Sequence, residues 1–210
     1  MNLFLDNNVL IGYIFETDSW NSKSLDVMGC EFKKYSSNTV CLECSDIYKK
    51  NIRIVKGEFR RLIKKLNVVN SFNLNNISSI LDKFYIKDCL IEYFIDNPPN
   101  DVKNLIINLR NLQRGLEARC YANYQNINDL VVICARDDSY AEIYQLFKND
   151  GLEEKEFFDL EIILDAHHVG LSISQLFLIT GDYKDIVSRK DMIVANTSIK
   201  GVIGLRQFNF

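Results

Sequence analysis

The sequence predicts an α/β protein built around a parallel sheet. Two observations carry this expectation. Gln175-Leu-Phe-Leu-Ile-Thr180 is a continuous apolar run, the pattern of a strand covered on both faces in the middle of a parallel sheet. Strand-like and helix-like segments also alternate at both ends of the chain, as an α/β layout requires. The 210 residues are 47% hydrophobic and 25% charged, enough apolar side chain to offset ordering entropy, which excludes a wholly disordered chain. Two prolines and nine glycines exclude collagen-like or linker-like sequence. At about 150 residues per domain, the length suggests one domain over 1–210, with 67–150 a mostly helical insertion or cap.

Leu3-Phe-Leu5 is a short apolar run closed by a polar turn, Asp6-Asn-Asn8. It reads as a buried strand whose carboxyl end carries Asp6. Val9 to Phe15 then begins a helix. Asn38-Thr-Val-Cys-Leu42 is either a second strand or the start of a helix, and 44–66 is helical and basic. Within it Lys49, Arg53, Lys56, Arg60 and Lys64 recur at spacings of 4, 3, 4 and 4, which places them on one helix face. Beyond it, Ser78–Ile95 reads as a helix that Asn97-Pro-Pro-Asn100 stops. Asp101 to about Asn123 reads as another helix, and Asp129-Leu-Val-Val-Ile-Cys134 is ambiguous between strand and buried helix. Tyr140–Lys148 is helical, as is Phe158–Gly170. After the 175–180 strand, Met192-Ile-Val-Ala195 reads as a further strand and Gly201-Val-Ile-Gly-Leu205 as a short edge strand.

The formal net charge is −3, but it is uneven. Residues 23–66 hold eleven Lys/Arg against five Asp/Glu, and residues 150–165 hold seven acids against one lysine. A basic lobe beside an acidic centre suits a protein that holds a polyanion and a divalent cation together; it suits an indifferent surface equally. No run approaches the ~18 apolar residues of a membrane helix. Asp6 interrupts the start before a signal-peptide apolar region forms. The expectation is a soluble cytoplasmic protein with no membrane partner and six free thiols. Cys41-Leu-Glu-Cys44 is a lone CxxC pair; with His167 and His168 it could complete a zinc site, but buried thiols are the simpler reading.

In an open parallel sheet, ligands bind beyond the carboxyl ends of the strands. Asp6 follows the first strand, and Asp182 follows the 175–180 strand after Thr180 and Gly181. These two acids are therefore expected at one sheet edge; the alternative is that each is an ordinary turn residue. At ~100° per residue, Asp159 shares a helix face with Ile162, Ile163, Ala166 and Gly170. A carboxylate on an apolar face is costly unless paired or metal-bound; the alternative for Asp159 is a helix cap. Asp165 lies about 100° from the centre of that face and is expected to be more exposed. Glu43 precedes the basic helix and is either a fourth acid of the site or a solvated glutamate. Asp185 either adds a ligand or caps the next turn. Converging carboxylates without a His or Cys cluster favour Mg²⁺ or Mn²⁺, and such a site hydrolyses phosphodiesters.

Three segments together resemble the PIN-domain family. Leu5-Asp6-Asn7-Asn8-Val9-Leu10-Ile11 is similar to its opening motif, Asp159-Leu-Glu-Ile-Ile-Leu-Asp-Ala166 to its third-acid helix, and Leu178-Ile-Thr-Gly-Asp182-Tyr-Lys-Asp185-Ile186 to its Leu-Val-Thr-x-Asp-x-Asp-Phe signature. Glu43 takes the place of the second acid. The resemblance covers roughly 1–66 and 155–205. It implies a parallel-sheet α/β/α sandwich and Mg²⁺- or Mn²⁺-dependent endoribonuclease activity. Asp6, Glu43, Asp159 and Asp182 would be the catalytic metal ligands, joined at the metal by Asp185. Asn7 replaces the family's usual Thr or Ser, and the stretch between the second and third acids is unusually long. Implied partners are an RNA substrate, a second copy in a homodimer, and an antitoxin-like inhibitor protein. The basic face of Lys49, Arg53, Lys56, Arg60 and Lys64 would contact RNA phosphates, or is simply a solvated face. The rival reading is a catalytically silent PIN-like module that binds RNA or protein. Retention of all four acids favours the enzyme. A DNA-directed nuclease lacks support, since no helical-arch or helix-hairpin-helix signature is present.

Overall fold

The computed structural model describes residues 1–68, 86–152 and 157–209. Their elements are β1 (Asn2–Leu5), α1 (Asn7–Ile14), α2 (Asn21–Gly29), β2 (Lys33–Ser37), α3 (Asn38–Leu66), α4 (Lys87–Asp96), α5 (Val102–Leu130), β3 (Val132–Cys134), α6 (Ala141–Asn149), α7 (Phe157–Ser172), β4 (Leu176–Thr180), α8 (Lys190–Asn196) and β5 (Gly201–Gly204). The chain divides into two compact units, Met1–Asp46 with Asn123–Phe210, and Ile47–Ala122. The division falls inside α3 and α5.

The first unit is α/β. Its five-stranded sheet has the order β3-β2-β1-β4-β5, and every pairing is parallel. Leu3, Phe4 and Leu5 in the central strand, and Leu176, Leu178 and Ile179 in β4, are fully buried, as expected of strands covered on both faces. From β1 the chain builds outward to β2 and β3, then returns to add β4 and β5 on the other side. The order therefore reverses between β1 and β4, the switch point where such sheets open a crevice at their carboxyl ends. The ends are level there: Leu5 pairs with Ile179 and Thr180 with Gly204. Helix α7 packs on β2 and β4, α1 on β4, and α8 on β5.

Several expectations are corrected. Met192–Ala195 is not a strand but lies within α8, with Ile193 buried; four apolar residues satisfy either period. The ambiguous 38–42 segment is the start of α3, with the Ser37 hydroxyl accepting the Val40 amide at 3.3 Å. The 129–134 segment divides, helix to Leu130 and then edge strand β3. Asp165 is 3% exposed rather than more exposed than Asp159. The helix buries Leu160, Ile162, Ile163, Leu164, Ala166 and Val169 together, so no single apolar face exists to measure a phase against. Asp165 is accommodated by Arg136, whose Nε lies 3.0 Å from its Oδ1; Arg136 also pairs with Glu161. The 78–85 part of the expected Ser78–Ile95 helix lies outside the described residues, while α4 is helical.

The second unit is helical. Its core is Val55, Phe59, Leu62 and Leu66 of α3 with Ile86, Leu90, Leu105, Leu109, Leu112 and Leu116. Strand β3 and helix α6, which fall within 67–150, belong instead to the sheet-bearing unit. Among the described residues, no helix is long and apolar enough to cross a membrane.

Candidate metal centre

The site is built at the switch point by the ends of β1 and β4. Asp6 leaves β1 as the N-cap of α1, accepting the Asn7 amide on its Oδ1. Its Oδ2 accepts Nδ2 of Asn8 at 2.9 Å and the Thr180 hydroxyl at 2.5 Å. The same Thr180 hydroxyl oxygen accepts the Asp182 amide at 2.9 Å, so one fully buried side chain fixes both acids. Asp182 Oδ1 then accepts the Asp185 amide at 2.8 Å, closing the turn after β4.

Asp159, in the first turn of α7, completes a cluster. One carboxylate oxygen each of Asp159, Asp182 and Asp185 lies within 4.8 Å of the others. Among the described residues this is the one group of three or more potential ligands that satisfies that spacing. Asp6 and Glu43 are not part of that tight group, but they act on it electrostatically. Burial, then the charges of Asp182, Asp6, Asp185 and Glu43, push Asp159 up to about 7. Burial and the Asp6 charge push Glu43 up to about 7 as well. Asp6 is raised too, chiefly by burial; its three hydrogen bonds oppose the shift and Asp182 adds to it. Burial disfavours the charged form of each of these carboxylates, and the neighbouring negative charges add to that effect.

No protein-family model matches this chain, and neither a curated protein nor a solved structure matches it.

The five acids Asp6, Glu43, Asp159, Asp182 and Asp185 thus lie in one unit, and the other four all act on Asp159. Two residues that shape the site are not among the sequence candidates for it. Thr180 enters the sequence argument only as the end of a strand; its signal is a hydroxyl closing the apolar run Leu176–Ile179. Asn7 is buried and hydrogen-bonds the Glu43 carboxylate, while its Oδ1 has no partner. An orphaned amide oxygen among carboxylates fits the water shell of a hard cation, since buried acceptors are normally satisfied. The all-oxygen donor set fits Mg²⁺ or Mn²⁺ in the same way. Asp185 is already partly neutralised, by Arg189 Nη1 at 3.5 Å and Lys184 Nζ at 3.2 Å.

The other sequence candidates have different surroundings. Burial, with the neighbouring Cys41 and Glu43, pushes the Cys44 thiol up to about 12, which disfavours the thiolate that zinc requires. His167 accepts the Ser198 amide on Nδ1 at 2.9 Å, and His168 shares a hydrogen bond with the Tyr140 hydroxyl at 2.7 Å. In the second unit, Lys49, Arg53, Arg60 and Lys64 are exposed along α3, while Lys56 is half-buried and paired with Glu117 at 3.1 Å.

Proposed function

We propose that this chain is a PIN-like, Mg²⁺- or Mn²⁺-dependent ribonuclease. The observation that carries the reading is geometric: one carboxylate oxygen each of Asp159, Asp182 and Asp185 lies within 4.8 Å of the others at the switch point. Asp159 is held near 7 by burial and by four other carboxylates, an arrangement that costs stability unless a cation is held there. The strand order and the orphaned Asn7 oxygen support the same reading. So does the motif resemblance around Asp6, Asp159 and Asp182.

Asp159, Asp182 and Asp185 would hold the ion, with Asp6 and Glu43 on the side of Asn7. A bound Mg²⁺ or Mn²⁺ would supply an activated water and stabilise charge on the attacked phosphate. The protein's own contribution is positional. Thr180 fixes Asp6 and Asp182 relative to each other, the turn at Asp185 fixes Asp182, and Asn7 orients Glu43.

The experiment is cleavage of mixed RNA and DNA oligonucleotides with Mn²⁺, Mg²⁺ or EDTA, alongside thermal melting with each metal. Metal-dependent RNA cleavage lost in EDTA is the expected result. A metal-induced stabilisation without cleavage would favour the silent module, and absence of both would remove the reading.

A further inference from the structure

Beside the carboxylates, on the β5 side, stands a group of side chains that the proposed hydrolysis does not use. The indole of Trp20 and the ring of Tyr183 lie 19° from parallel with centroids 6.1 Å apart. The Arg206 guanidinium carbon sits 5.5 Å from the first centroid and 5.0 Å from the second. Trp20 and Tyr183 are half-buried, and Arg206 is exposed. Arg206 has no carboxylate partner among the described residues, in a unit rich in acids.

The sheet sets this group next to the site. Thr180 and Gly204 are paired across β4 and β5. Asp182 and Arg206 each lie two residues beyond that pair, and Tyr183 directly follows Asp182. Two glycines hold the rings close. A Cβ at Gly181 would meet Trp20 Nε1 and Asn8 Cβ, each at 3.0 Å, and a Cβ at Gly204 would fall 2.4 Å from the Tyr183 hydroxyl oxygen. That oxygen accepts the Arg206 amide at 2.7 Å.

We propose that Trp20, Tyr183 and Arg206 seat the substrate, an unpaired RNA nucleotide whose base stacks on the two rings while Arg206 takes the adjoining phosphate; the inference rests on the ribonuclease reading. Five carboxylates repel a phosphodiester, so a substrate is held better by an adhesive surface close by that carries its own positive charge. Aromatic rings bind any base through its π-face, and an arginine laid against them adds charge without losing its stack. A duplex, with its bases already stacked on one another, offers no free face.

Trp20 is the sole tryptophan, so its fluorescence reports this surface alone. The full chain is titrated in EDTA with a fluorescein-labelled adenosine octaribonucleotide, reading Trp20 emission and label anisotropy together. The octamer is expected to quench Trp20 as it binds. An octamer with abasic positions, or a duplex, should bind more weakly and leave the emission unchanged. Tyr183→Leu should weaken binding about 5- to 150-fold, the range for losing a stacked base. Arg206→Gln should reduce the log–log salt slope by about 0.7, the loss of one phosphate contact. Binding without quenching, equal affinity for the abasic octamer or the duplex, or no octamer binding at all would overturn the proposal. So would an Arg206→Gln effect on melting alone, which would make the trio a clamp on the segment after β5. Because binding is read without metal, a failure of Mn²⁺-dependent cleavage tests the nuclease reading separately.

Discussion

Asp6 and Thr180 stand 174 positions apart and are joined by a 2.5 Å hydrogen bond from hydroxyl to carboxylate. Thr180 is buried, and its oxygen also receives the Asp182 amide. Thr180→Val keeps the shape and removes both contacts. The variant should lose about 1–3 kcal/mol of stability, the cost of leaving buried polar groups unsatisfied. It should also bind Mn²⁺ only at higher pH, since Asp6 loses a hydrogen bond that favours its ionised form. Denaturant unfolding and Mn²⁺ titrations across pH check both; an unchanged titration would show that the bridge does not tune the site.

Asp159 and Asp165 should separate cleanly. Asp159→Asn removes one charge from the repelling cluster, so the metal-free protein should be as stable as wild type or more so. The stabilisation by Mn²⁺ should largely vanish, because a ligand stabilises only the state that binds it. Asp165→Asn breaks a buried pair with Arg136 and should cost about 3 kcal/mol, while the Mn²⁺-induced shift survives. Thermal melts of the two variants with and without Mn²⁺ decide this. The opposite pattern would mean that α7 presents the wrong acid to the site.

Metal-free stability should fall as pH rises. Glu43 and Asp159 are each raised to about 7, from ordinary values of 4.5 and 3.8. A folded-state value above the unfolded one contributes stability that is complete below about pH 4 and is lost as pH climbs through about 7. Mn²⁺ binds the ionised carboxylates, so its stabilising effect should grow over the same interval. Melting temperatures from acid to slightly alkaline pH, with and without Mn²⁺, provide the check. A metal-free profile that rises through neutrality would contradict the assigned repulsion.

Arg53→Glu with Arg60→Glu should weaken RNA binding and flatten its log–log salt slope by at least about 1.4, two phosphate contacts' worth. Mn²⁺ affinity should stay near wild type. Lys56 is less suitable for this test: Lys56→Glu would face Glu117 and lower stability by about 0.5 kcal/mol on its own. Filter binding across a salt series reads the slope. An unchanged slope would return the face to plain solvation.

The parts of the fold visible in the sequence were those with a single strong pattern. Strands β1 and β4 are short, mainly apolar runs, and each is followed by the acid that matters. Strand β2 was missed because Lys33-Lys-Tyr-Ser-Ser37 carries no apolar signature. It is interior all the same: Lys34 is buried with its Nζ turned to the carbonyls of Cys30 and Phe32, at 2.6 and 3.1 Å, and the Ser36 hydroxyl donates to the Leu5 carbonyl. Polar side chains satisfied by nearby backbone can sit inside a sheet, and hydropathy alone does not foresee it. The Asp159–Asp165 contrast failed for a related reason. Arg136, 29 positions before Asp165, supplies the charge that permits its burial, and no local period reports a partner so distant.

The central strand waits for its neighbour. Asn2 pairs with Leu176, so β1 meets β4 only across most of the chain. At synthesis rates of 5–20 residues per second, roughly 10–35 s separate the appearance of Asp6 from that of Asp182. Through that interval β1 has a bare hydrogen-bonding edge, the kind that invites pairing with other chains. The acids cannot gather either. Under the proposed activity, the strand order works as a delay: a nascent chain stays inert toward the message being read until β4 has left the ribosome.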